Sequence, residues 1–77
     1  MINIRDKALL VSFGAHLRRI RTEAGLSQEA LANDADIPIN QVGRIERGEV
    51  NPTLSTLHAL CSALKMPFSE FMNFPFK

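Results

Sequence analysis

The chain predicts an all-α fold, five short helices packed into one small unit, and three observations carry that prediction. Apolar residues recur at alternating spacings of three and four over two long stretches, the period of a helix with one buried face. Residues suited to starting or stopping helices punctuate the rest: Ser27, Pro38, Gly48, Thr53 and Pro67. Of the 77 residues, 45% are hydrophobic and only 22% charged, a balance that favours a folded chain over a disordered one. At this length residues 1–77 are expected to form a single domain, with the central motif over 27–48 and the last helices and tail over 53–77. Such a domain buries ~60% of the surface its unfolded chain exposes, so burial against a second subunit would help it.

The first helix is expected from about Ala8 to Ala24, with Leu10, Phe13, Leu17, Ile20 and Ala24 on its apolar side and Gly25 ending it. Its polar side carries His16, Arg18, Arg19 and Glu23, so His16 is expected at the surface. Ser27 can cap a second helix starting at Gln28, and Leu26 before it can staple onto Leu31. That helix should be short. Asn33, Asp34 and Asp36 bond readily to their own backbone, and Asp36 tolerates the left-handed geometry of a tight turn, which places the break near Ala35 to Ile37. Pro38 lacks the N–H that a first helical turn leaves unpaired, so a third helix is predicted from about Pro38 to Arg47 with Gly48 as its left-handed stop. Val42 and Ile45 then face inward with Ile37, while Asn40, Gln41 and Arg44 point out. Thr53 can cap a fourth helix whose stripe of Leu54, Leu57, Leu60, Cys61 and Leu64 is expected in the core. Pro67 can open a last short helix containing Phe68, Glu70, Phe71 and Met72.

The stretches LSQEALA, IPINQVGRIERG and NPTLSTLHAL together resemble the helix-turn-helix domain of the phage-repressor (Xre-like) family of bacterial and phage regulators, over roughly Phe13 to Phe71. Within that family the size and layout are similar to the controller proteins of restriction–modification systems. The chain departs from the family's pattern where Asp36 and Lys65 replace a frequent glycine, Pro38 a serine or threonine, and Ala30 a glutamate. The resemblance implies that the third helix enters the major groove of double-stranded DNA and presents Ile39, Asn40, Gln41 and Arg44 to base edges. Asn40 or Gln41 could bond adenine bidentately, Arg44 guanine, and Ile39 could touch a thymine methyl. Gln28, at the start of the helix that crosses the backbone in such proteins, is expected on a phosphate, with Arg47 and Asn51 as further phosphate contacts. The family also implies an Arg21–Glu46 bridge tying the first helix to the third.

Charge alone does not make this a nucleic-acid binder. The net charge is +1, and Glu29, Asp34, Asp36 and Glu49 stand among the basic residues of the motif, so one copy should bind weakly. Four of the five phenylalanines fall in the last ten residues, and Phe74 and Phe76 flank a proline with little core left to enter. Phe68, Met72, Phe74 and Phe76 are therefore expected to form a homodimer interface, the working unit on a palindromic operator.

Other chemistry has little support. His58 and Cys61 could share a helix face, but two ligands do not close a tetrahedral site, so no metal is expected, and Cys61 fits a small buried hydrophobe. No glycine-rich phosphate loop, paired carboxylates or Ser/His/Asp arrangement stands out, so neither an enzyme nor a cofactor or small-molecule ligand is predicted. One cysteine forms no internal disulfide. No apolar run approaches the ~20 residues of a membrane span, and Arg5, Asp6 and Lys7 interrupt the first apolar residues, so a cytoplasmic protein is expected. A protein-interaction module that keeps the fold without reading DNA, for example an antitoxin-like one, is the competing expectation.

Overall fold

A computed structural model describes residues 5–76, and within them the chain forms five α-helices and no strand: α1 (Lys7–Glu23), α2 (Gln28–Ala35), α3 (Ile39–Glu46), α4 (Leu54–Ala63) and α5 (Phe68–Phe71). Local capping sets most of these boundaries. The Asp6 carboxylate accepts from the Leu9 N–H at 3.0 Å, so α1 begins a residue earlier than its apolar pattern predicts. The Ser27 and Thr53 hydroxyls accept from the N–H groups of Ala30 and Thr56, starting α2 and α4 where the sequence places them. Asp36 takes a left-handed conformation, φ 59° and ψ 46°, and its N–H bonds Asn33, closing α2.

Both prolines stand one position further out than predicted. Pro38 and Pro67 have helical φ but extended ψ near 140°, so they are the residues before α3 and α5 rather than their first helical residues. The missing N–H is harmless in either place. Asp36 and Lys65, the two positions where the resembled family often carries glycine, keep the left-handed backbone with a side chain attached, at φ 59° and φ 56°.

α1 packs on α3, α2 on α3 and α4, and α4 on α5. Phe71, Leu17, Leu31, Ile45, Leu60 and Val42 are fully buried at the centre, each contributing about 1.5–3 kcal/mol through burial. Cys61 joins them; its thiol donates to the Met66 carbonyl, and burial pushes its pKa up.

Three sequence expectations are corrected here. His16 is buried, with 4% of its surface exposed. Its Nε2 lies 2.8 Å from the Phe71 carbonyl and its Nδ1 2.7 Å from Arg19 Nη2. A carbonyl only accepts and a guanidinium only donates, so Nε2 carries the proton; the imidazole supplies the donor that the end of α5 otherwise lacks. Leu54 is 71% exposed, outside the packed stripe that Leu57, Leu60, Cys61 and Leu64 maintain. Phe74 does find apolar company: the tail folds back so that its ring meets Phe13 edge-on at 5.5 Å and stacks over His16 at 5.5 Å. Phe76 remains 41% exposed beside it.

Candidate nucleic-acid interface

The DNA-facing candidate is α3, and its orientation is set by how closely α1 lies against it. Gly14, in the middle of α1, makes this possible: a Cβ there would fall on the carbonyl oxygens of Ile45 and Glu46, the latter 2.5 Å away. Gly48 does the same at the end of α3. Its φ is +72°, and a Cβ would stand 2.9 Å from the Val11 Cα, so a left-handed stop and a close crossing coincide in one residue. Lys7 Nζ donates to the Gly48 carbonyl at 3.1 Å and Arg5 donates to that of Glu49. Two cations thus hold the carbonyls just past α3, near the end where the helix dipole is negative.

The Arg21–Glu46 bridge is formed. Arg21 Nε and Nη2 donate to the two Glu46 carboxylate oxygens at 2.6 and 3.0 Å, and Nη1 donates to the Leu26 carbonyl at 2.9 Å. The two side chains are 10% and 3% exposed. The hydrogen bond that Arg21 donates to Glu46 is the main cause that holds its guanidinium charged beyond its ordinary range. Gln28 Nε2 donates to the same carboxylate at 3.0 Å, so the first residue of α2 is also fastened to α3. That contact was not foreseen in the sequence, nor was the close approach at Gly14. A glycine inside a helix costs about 1 kcal/mol against alanine, and this was the available signal.

With Val42 and Ile45 buried, α3 turns Ile39, Asn40 and Arg44 to the exterior; Ile39 is half exposed and Gln41 is half-buried. The face therefore combines one apolar group, an amide with donor and acceptor, and a guanidinium. Arg47 follows at the end of the helix, exposed, and Asn51 is exposed in the next loop. Gly43 leaves room between them: a Cβ there would stand 3.0 Å from Arg47 Nη1 and 3.5 Å from the Gln28 amide oxygen. The predicted phosphate contacts Gln28 and Arg47 are thus neighbours across Gly43.

Arg47 has a partner that the sequence did not assign. Its Nε donates to Glu49 Oε2 at 2.6 Å and Nη2 to Oε1 at 3.4 Å, while Arg44 Nε lies 4.0 Å from Oε1. Arg47 holds the Glu49 carboxyl below the usual carboxylate range, chiefly through this hydrogen bond, and is itself raised by it.

Among the described residues no group of three His, Cys, Asp or Glu side chains stands together to hold a metal, and no helix is long and apolar enough to cross a membrane. The model of the helix-turn-helix domain family matches residues 12–71. The chain belongs to this family of DNA-binding transcriptional regulators. Over 59 residues it is 36% identical to the HTH-type transcriptional regulator SutR of Escherichia coli, covering 77% of this chain but 33% of that protein. An uncharacterized HTH-type transcriptional regulator of Sinorhizobium fredii, y4dJ, is 34% identical, and the match covers 78% of each chain. Among solved structures, the restriction-modification controller protein C.AhdI from Aeromonas hydrophila is 42% identical with a TM-score of 0.82, covering 84% of this chain and 98% of that one.

Proposed function

We propose that this chain is a transcriptional regulator of the controller type, a cytoplasmic homodimer that binds a palindromic operator in double-stranded DNA. One observation carries the reading: α3 is held by its inner face and by Arg21, so that Ile39, Asn40 and Arg44 stand exposed together on a rigidly oriented helix. Side chains of these types suit base edges in the major groove, with Gln41 able to join them. Gln28, Arg47 and Asn51 would then position the unit on phosphates.

Pairing would use the tail. Phe76 is exposed, Phe68 is half-buried, and Met72 and Phe74, also half-buried, line an apolar cleft of about 110 Å³ together with Leu9 and Leu57 among others. Closing that surface on a two-fold axis would set two copies of α3 about one DNA turn apart, ~34 Å, and double the phosphate contacts that a net charge of +1 leaves scarce. The resemblance to controller proteins supports the same layout.

Selection from randomised duplex DNA tests the reading directly. A palindromic motif is expected, and Arg44→Ala should weaken it by about 1–3 kcal/mol with relaxed preference at one base pair, whereas Gln28→Ala should weaken all sequences alike. No enriched motif would favour the interaction-module reading. Sedimentation equilibrium at micromolar concentration tests the dimer: a monomer in solution that also binds one copy per palindrome would overturn it.

A further inference from the structure

We infer that Glu49 is an internal counterion for the DNA-facing arginines, a specificity-determining residue that holds Arg47 and screens Arg44 so that contact with DNA phosphate alone is weakened more than base reading. The inference rests on the DNA-binding reading above. Its first support is placement. The Glu49 N–H donates to the Arg44 carbonyl at 2.9 Å and the Glu49 carbonyl accepts from Arg5, while Lys7 holds the carbonyl of Gly48 just before it. With the backbone pinned on both sides, the Glu49 side chain starts beside the end of α3 and lies along the Nε edge of Arg47.

That edge matters because it is one of the two an arginine can offer to a phosphate, each with two parallel N–H groups facing two oxygens. The carboxylate takes it at 2.6 and 3.4 Å, so a phosphate can meet Arg47 only at the Nη1–Nη2 end, beside a carboxylate that repels it. Arg44, 4.0 Å from the second oxygen, shares the same anion, and both arginine side chains are more than half exposed, at 53% and 59%. The pair is also exposed on its acidic side, at 44%, where an ion pair contributes little to folding. It is arranged where it changes what the arginines can bind.

A non-cognate duplex offers mainly phosphates. To engage Arg47 it must either displace one anion with another or approach the open end of the guanidinium with a carboxylate facing the DNA backbone, so little is gained. A cognate duplex also offers Arg44 the neutral edge of a base, which requires no release of the Arg47–Glu49 pair. Glu49 therefore widens the gap between the two.

The test compares the wild type with Glu49→Gln and with Glu70→Gln, which makes the same charge change at an exposed position in α5. Binding is measured against salt on a short mixed-sequence duplex and on the site selected from randomised DNA. Glu49→Gln should raise affinity for the mixed duplex about three- to tenfold and steepen the salt dependence by ~0.9 for one freed phosphate contact. Its gain on the selected site should be smaller, so the ratio of the two affinities falls, and Glu70→Gln should change the mixed-duplex affinity by less than about twofold at the same salt. If Glu49→Gln matches Glu70→Gln, or gains equally on both duplexes, the inference is overturned while DNA binding stands. If the wild type binds no duplex even at low salt, the functional reading fails and this inference with it.

Discussion

Two arginine–glutamate pairs flank the end of α3, and each closes to 2.6 Å. Arg21–Glu46 lies under the helix, its side chains 10% and 3% exposed, with Gln28 adding another bond to the carboxylate and Leu26 accepting from the guanidinium. Arg47–Glu49 lies on the rim, at 59% and 44%, with solvent on most sides. Distance does not distinguish them; surroundings do. Under the helix, removing one partner strands a charge in a dry place, so the pair enforces the angle between α1, α2 and α3. On the rim, either partner can exchange the other for water or a passing anion, so the pair governs binding more than folding.

The largest expected effect tests the first half of that contrast. Glu46→Ala should lower the unfolding free energy by about 3 kcal/mol in chemical denaturation, leaving Arg21 charged and without its carboxylate. A loss no greater than that of an ordinary surface substitution would mean that water reaches the pair and the contrast is false.

Gly14→Ala should come next, at about 2 kcal/mol, because a methyl group has to push the α3 backbone away. Parting the helices also wets the bridge, so the double variant with Glu46→Ala should lose less than the sum of the two, measured in a double-mutant cycle. Strict additivity would show that the helix crossing and the bridge are independent. Lys65→Gly lies outside both pairs and should change stability in the opposite direction, by about +0.5–1 kcal/mol, since glycine removes the penalty of a side chain at φ 56°. The smallest effect on folding belongs to the rim: Arg47→Ala should leave the thermal midpoint unmoved, and made in the Glu49→Gln background it should take back the ~0.9 in salt dependence that the freed arginine adds. An unchanged salt dependence would remove Arg47 from the phosphate contacts.

What the sequence made legible follows a physical divide. Helix starts at Gln28 and Leu54, and the left-handed turn at Asp36, depend on a residue and its neighbours three or four positions away, and their types announced them. Prolines were legible as punctuation but not to the residue, because a missing N–H suits the position before a helix as well as its first turn. His16 was misplaced for a different reason. Its burial depends on α5 and the tail, which bring the Phe71 carbonyl and the Phe74 ring over it from more than fifty positions along the chain. Leu54 failed the opposite way: its spacing fits the stripe, but among the described residues it is left 71% exposed at the first position of α4. At the candidate site, Arg21 and Glu46 were found through the family resemblance and not through periodicity, whereas Glu49 looked like one more acidic residue diluting a basic region.

The division of α3 has a consequence for how such a protein can change. Its inner residues, the bridge beneath it and the bare backbone at Gly14 hold the helix without help from Ile39, Asn40 or Arg44. On the proposed reading these outer positions can therefore mutate toward a new operator at little thermodynamic risk, as most surface substitutions stay within about 0.5 kcal/mol. A lineage carrying this scaffold could retarget its promoter one side chain at a time, each intermediate remaining folded, with the letters replaced and the reading frame left in place.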